Sequence, residues 1–181
     1  MRSSVFALSL CLAMMVSSQS ATAAKFPPAC KADKAHYMLK GQPDFTLHFE
    51  PAGDWTTAAS DLLMVVKTPA KKVHKFSMTA SNGAHRLYAI PLAQLEAERA
   101  LEESGQTQDA EEEKEDSSIH FDGFTAKHET LQSPPNAKDI APSWLFLPEL
   151  RSTLWYGYSS LGKEAVQEGM DLALFELKGC K

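Results

Sequence analysis

The sequence predicts a β-rich α+β fold: an antiparallel sheet or small sandwich with one or two helices, behind a cleaved signal peptide. Three observations predict it. Val73–Ile90 alternates apolar and polar residues on both sides of Asn82-Gly83, a dipeptide suited to a two-residue hairpin turn. Phe45-Thr-Leu-His-Phe49 alternates with the same period. Past Pro91 the pattern changes to a run of helix formers, Leu92–Leu101.

The chain opens with Arg2, an apolar run from Val5 to Val16, a polar stretch, and Ala21-Thr22-Ala23-Ala24. That order matches a secretory signal peptide over residues 1–24, cut after Ala23 or Ala24. The apolar run falls short of the roughly 20 residues that span a bilayer. Cys11 lies within that run after Leu10, which argues against a lipid-attachment site. Residues 25–181 then form a single exported domain. No further segment is long and apolar enough to span a membrane. The expected location is the periplasm or the exterior. Neither Asn82 nor Asn136 sits in an N-x-S/T sequon, which fits bacterial export. Cleavage leaves Cys30 and Cys180, an even pair in an oxidising compartment, and a disulfide between them is expected. No C-x-x-C motif supports a redox role.

The elements follow in order. Residues 25–41 read as an irregular lead-in with one turn of helix, and 45–49 as a strand closed by Pro51-Ala-Gly53. The segment 54–68 is ambiguous: Asp54 can cap a helix, yet Leu62–Val66 is also a buried strand. A strand over 61–68 is preferred, because it makes a three-stranded meander with a short connection. In the hairpin, a turn at 82–83 pairs Met78 with Leu87 and Phe76 with Ala89. Phe76, Met78, Ala80, Leu87 and Ala89 then share one face, and Lys75, Ser77, Thr79, Arg86 and Tyr88 the other. In the helix, Leu92, Leu95 and Ala100 are the expected contacts. Residues 102–118 read as a flexible acidic insert, poor in groups that could be buried. Between Glu96 and Asp116 ten acidic and two basic side chains contribute −8. The chain total is −5, so the rest is near +3. Ile119–Ala126, Trp144–Leu147 and Leu150–Tyr158 read as strands, the last with Leu154, Tyr156 and Tyr158 on one face. Gly162–Glu168 reads as a helical turn. Asp171–Lys178, strand or helix, brings Cys180 back to Cys30.

Chemical motifs are sparse. Ser160-Leu-Gly-Lys163 matches S-x-x-K, but no K-T-G triad follows and the chain is short for a penicillin-binding enzyme. G-x-S-x-G, H-E-x-x-H, Walker and G-x-G-x-x-G motifs are absent. His36, His48, His74, His85, His120 and His128 are dispersed, and His120 with Asp122 supplies only two ligands. The acidic run lacks the order of a calcium loop. No catalytic residue, metal site or cofactor is therefore assigned. Lys67, Lys71, Lys72, Lys75 and Arg86 are expected near one end of the sheet, without the interleaved aromatics of a nucleic-acid surface. Trp144, Trp155, Tyr156 and Tyr158 are the densest aromatic group and read either as core or as recognition surface.

Ser81, Gly83 and Tyr88 around the hairpin tip resemble, in residue type, the Ser/Gly-rich loop with a nearby Tyr or Lys that periplasmic lysozyme inhibitors insert into the lysozyme cleft. The resemblance is confined to residues 81–88 and implies a cleft-plugging loop. An ordinary hairpin tip is the other reading of the same residues. The functional expectation is a non-enzymatic protein that binds a protein partner, with Asn82, Arg86, Tyr88, Trp155 and Tyr156 as contact candidates. A lysozyme-inhibitor-like or immunity-like protein is one form of it. A small periplasmic hydrolase or metal-assisted enzyme is the alternative from another class.

Overall fold

A computed structural model describes residues 29–81, 83, 86–105 and 117–181. The expected signal peptide, Asn82, His85 and most of the acidic insert lie outside the described residues.

Eight antiparallel strands close into a barrel in chain order. They are β1 (Ala35–Leu39), β2 (Gln42–Pro51), β3 (Leu62–Lys67), β4 (Val73–Ala80), β5 (Leu87–Pro91), β6 (Ile119–Phe124), β7 (Trp144–Phe146) and β8 (Leu174–Cys180). The expected open sheet or sandwich is thus corrected to a barrel. The reason lies in β8, which pairs with β1 from Ala35↔Cys180 to Leu39↔Phe175 and leaves no free edge. Eight strands enclose a space that side chains can fill. Here Tyr37, Phe45, Leu47, Phe76, Phe121 and Phe175 fill it, all fully buried. Tyr37 and Phe49 meet edge to face with centroids 5.9 Å apart.

Alternation explains most of the strands. β1 buries Ala35, Tyr37 and Leu39, and β2 buries Phe45, Leu47 and Phe49. β1 falls in the segment expected as an irregular lead-in; its short AHYML run carries the alternation over only five residues. β3 is buried on both faces. Leu62, Met64 and Val66 join the core while Leu63 and Val65 are buried on the other side. A strand covered on both faces loses its period-2 signature, which made 54–68 ambiguous.

The β4–β5 hairpin keeps its two faces but not its expected register. Ala80 pairs with Leu87 and Met78 with Ala89. The Ser81 amide donates to the Arg86 carbonyl at 2.9 Å, so the loop holds four residues rather than two. A shift of two preserves the faces, whereas a shift of one would exchange them.

α1 (Leu92–Glu103) lies outside the barrel against β4 and β5. Leu92 and Leu95 are half-buried, but Ala100 is exposed and is no contact. Arg99 instead places its guanidinium 3.8 Å from the ring centroid of Trp55, in the β2–β3 connection. The expected strand at 150–158 is α2 (Leu150–Trp155) followed by a 3-10 turn, Tyr158–Leu161. Leu150 and Leu154, four apart, are both fully buried, so the period is helical. Gly162–Glu168, expected as a helical turn, is irregular.

The barrel has two unlike ends. At the disulfide end, Cys30 and Cys180 are bonded, their Cα atoms 5.8 Å apart. The connection between β6 and β7 folds over this mouth. Its Pro142 carbonyl accepts from the buried Tyr37 hydroxyl at 2.9 Å, and its Pro135 carbonyl accepts from Ser60 Oγ at 2.7 Å. Asp61 Oδ1 accepts from the Ala137 amide at 2.8 Å, and Asn136 Oδ1 from the Asp61 amide at 3.1 Å. At the opposite end, residues 147–173 between β7 and β8 form a cap.

Candidate functional site

The cap is an amphipathic cover. Leu147, Leu150, Leu154, Leu161, Met170 and Ala173 are buried and belong to the barrel core. The same helical spacing that turns Leu150 and Leu154 inward turns Arg151 and Trp155 outward. The α2 C-terminus is tied to the following segment, which satisfies carbonyls a helix end leaves open. The Glu168 amide donates to the Leu154 carbonyl at 3.0 Å, and Gln167 Nε2 donates to the Trp155 carbonyl at 3.0 Å.

The outer side of this cap exposes several large apolar side chains among polar and charged ones. Trp155 is 44% exposed, Tyr156 82% and Leu172 63%, with Tyr158 and Val166 also exposed. Val73, on the β4 terminus at this same end, joins them. Among the described residues one further large apolar side chain is exposed, Ile140 at the disulfide end. A groove of about 460 Å³ lies in the cap surface, lined by Pro148, Arg151, Trp155, Tyr156, Gly169 and Met170. A Cβ on Gly169 would stand 3.8 Å from the Trp155 ring, in ordinary contact with it.

The sequence-derived contact candidates separate. Trp155 and Tyr156 stand together on the cap. Arg86 and Tyr88 lie on the hairpin toward the disulfide end, and Asn82 is outside the described residues. Tyr88 is half-buried and packs edge-on to His120, centroids 6.1 Å apart, on the outer wall. The aromatic group of the sequence is likewise divided: Trp144 stacks on His128 at the disulfide end, centroids 5.0 Å apart. The basic residues also split. Lys67, Lys71 and Lys72 adjoin the cap end, Lys75 binds Glu50 at 2.8 Å on the wall, and Arg86 lies near the hairpin tip.

Among the described residues the histidines do not gather at one site. His36 and His48 are direct cross-strand partners on the outer wall, and His48 Nε2 lies 3.0 Å from Glu50 Oε1. Burial, with Lys181, His48 and Lys67 nearby, holds His36 below the usual imidazole range. Lys75, and then His48, hold the Glu50 carboxyl below the usual carboxylate range. His120 Nε2 is 3.5 Å from Asp122 Oδ1 on β6, with no third ligand. Among the described residues no three His, Cys, Asp or Glu side chains are placed to hold a metal ion. Ser160 Oγ donates to the Gly157 carbonyl at 2.8 Å. Ser160 and Lys163 line a cleft of about 730 Å³ beside α1.

Beneath the cap, sequence reasoning missed one arrangement. His74 occupies an inward position on β4 at the cap end and is only 3% exposed. The Leu161 backbone lies close enough to favour a proton on the His74 ring, without outweighing burial. Burial pushes His74 below the ordinary histidine range; Glu168 acts in the opposite sense and Lys72 in the same one. The signal was available: His74 alternates in phase with Phe76, Met78 and Ala80, the more apolar face of the hairpin. No family model matches this chain, and neither a curated protein nor a solved structure matches it.

Proposed function

We propose that this is an exported binding protein that presents the Trp155–Tyr156 face of its cap to a protein partner. The observation supporting the reading is where exposed apolar surface collects. Of the seven large apolar side chains exposed among the described residues, six lie at the cap end. Exposed apolar surface collected at one end carries a solubility cost, and such surface tends to mark an interaction site. Trp, Tyr and Arg are also the residues most often found to dominate binding energy, and Arg151, Trp155 and Tyr156 line one groove. The Cys30–Cys180 disulfide fits an oxidising compartment. Among the described residues no helix is long and apolar enough to cross a membrane.

The test is site-specific photo-crosslinking in cells, with the photoreactive residue at position 156 or at position 88. A discrete adduct from position 156 is expected. With the partner purified, Trp155→Ala and Tyr156→Ala should each weaken binding by about 30-fold, the size of a hot-spot truncation. Arg86→Ala and Tyr88→Ala at the other end should leave it unchanged. An adduct from position 88 alone would move the contact to the hairpin end, and no adduct from either would remove the binding reading.

A further inference from the structure

On one side, the cap is fastened to the barrel by a polar seam. The Ala70 amide donates to Glu168 Oε2 at 3.1 Å. Lys72 Nζ lies 3.6 Å from Glu164 Oε2. His74, 3% exposed, lies beneath this seam beside the Leu161 backbone. The barrel contributes residues 70–74, in and just after the β3–β4 turn. The cap contributes residues 161–168. Three buried atoms in this region have no protein partner: His74 Nε2, Glu168 Oε1 and Thr68 Oγ1. Nε2, buried and without a protein partner, is an open position for a proton on the ring.

The charged groups around the imidazole are Glu168 from the cap and Lys72 from its own turn, and Lys72 is itself paired with Glu164. A proton on Nε2 would therefore place a cation in a buried site. Glu168 is near enough to attract it but not bonded to it, and Lys72 opposes it. A buried charge without a hydrogen-bonded counter-ion is costly.

We propose that His74 makes this seam an acid-sensitive latch: a proton on its imidazole releases segment 161–170 from the β3–β4 turn and so alters the Trp155–Tyr156 face. The effect on binding rests on the cap being the binding surface; the latch does not. The sign follows from the closed state binding this proton more weakly than the open one. Acid favours the open form, from about pH 6.5 downward, and the effect levels off below the closed-state value.

The test is amide hydrogen exchange of segment 161–170, including the Glu168 amide, between about pH 7.5 and about pH 5, corrected for intrinsic rates. Opening should rise by up to about tenfold per pH unit within the window. His74→Asn keeps a polar side chain at this position and cannot titrate, so its profile should be flat. Glu168→Gln should move the midpoint to lower pH and Lys72→Met to higher pH. A flat wild-type profile, or an unchanged one in His74→Asn, overturns the latch. If His74→Asn does not fold, the two opposed shifts decide the matter, and their absence overturns it. Crosslinking from position 156 at the same pH values separates the two readings: exchange alone decides the latch, whether or not an adduct forms.

Discussion

Removing the Cys30–Cys180 bond should expose how much of the barrel's closure depends on it. The bond joins residues 150 apart in sequence, at the head of the β1–β8 seam. That seam closes the barrel and joins the two strands farthest apart in the chain. In the chain-entropy model a loop of about 150 residues constrains the unfolded chain by roughly 5 kcal/mol, and measured effects are commonly 2–4 kcal/mol. The perturbation is Cys180→Ala. Cys180 is exposed while Cys30 is 2% exposed, so this change removes the link and leaves the buried sulfur in place. Urea unfolding should show a loss of about 2–5 kcal/mol and a steeper slope, because the unlinked chain exposes more surface when unfolded. At roughly 2–4 °C per kcal/mol for a domain of this size, the melting point should fall by about 5–20 °C. Wild-type protein under reductant should match the variant. A midpoint and slope equal to those of the oxidised protein would refute the reasoning, since the β1–β8 pairing would then hold the seam unaided.

Other changes test other parts of the fold. Tyr37→Phe leaves the Pro142 carbonyl without its donor; a loss of about 1–3 kcal/mol in urea unfolding is expected. Arg99→Ala should cost about 0.5–1 kcal/mol, and a double-mutant cycle with Trp55→Ala should show that most of it is coupling. Stability should also fall in acid in two separate windows. His36 and His74 are depressed in the folded state, so the unfolded chain binds their protons more readily. Their contribution is complete above about pH 6.5 and is lost as pH falls toward their folded values. Glu50 is depressed in the same sense from its ordinary 4.5, and its contribution is lost below that. Denaturant midpoints against pH should show both steps, with Lys75→Met removing much of the lower one.

The hairpin, the central strands and the disulfide were legible because each rests on a local signal: alternation, turn residues, or an even pair of cysteines. Closure was not, because which strand meets which edge is a long-range fact; the one hint was Cys180 at the tail of the last apolar run. The hairpin register was misread because Asn82-Gly83 favours a tight turn, while Ser81 and Arg86 bond across a wider loop. In 150–158, Leu154, Tyr156 and Tyr158 fit a period of two, and Leu150 and Leu154 a period of four. Only the presence of a barrel mouth to fill decides between them. The contact candidates were named by residue type, which cannot say that Tyr88 and Trp155 stand at different ends.

The two ends of the barrel satisfy different demands, and that difference bears on the proposed binding face. At the disulfide end the covering loop meets the barrel through paired polar groups, among them Tyr37 with Pro142 and Asp61 with Asn136. At the cap end the inward side chains of α2 already seal the core. Its outward ones add nothing to that seal, so stability alone would be served as well by polar residues there. Tyr156, 82% exposed, is the sharpest case. Tyr156→Ser should leave unfolding free energy within about 0.5 kcal/mol of wild type and improve solubility in concentration-dependent light scattering. A loss beyond about 1 kcal/mol would make Tyr156 a structural residue and take away the main support for the cap as a binding face.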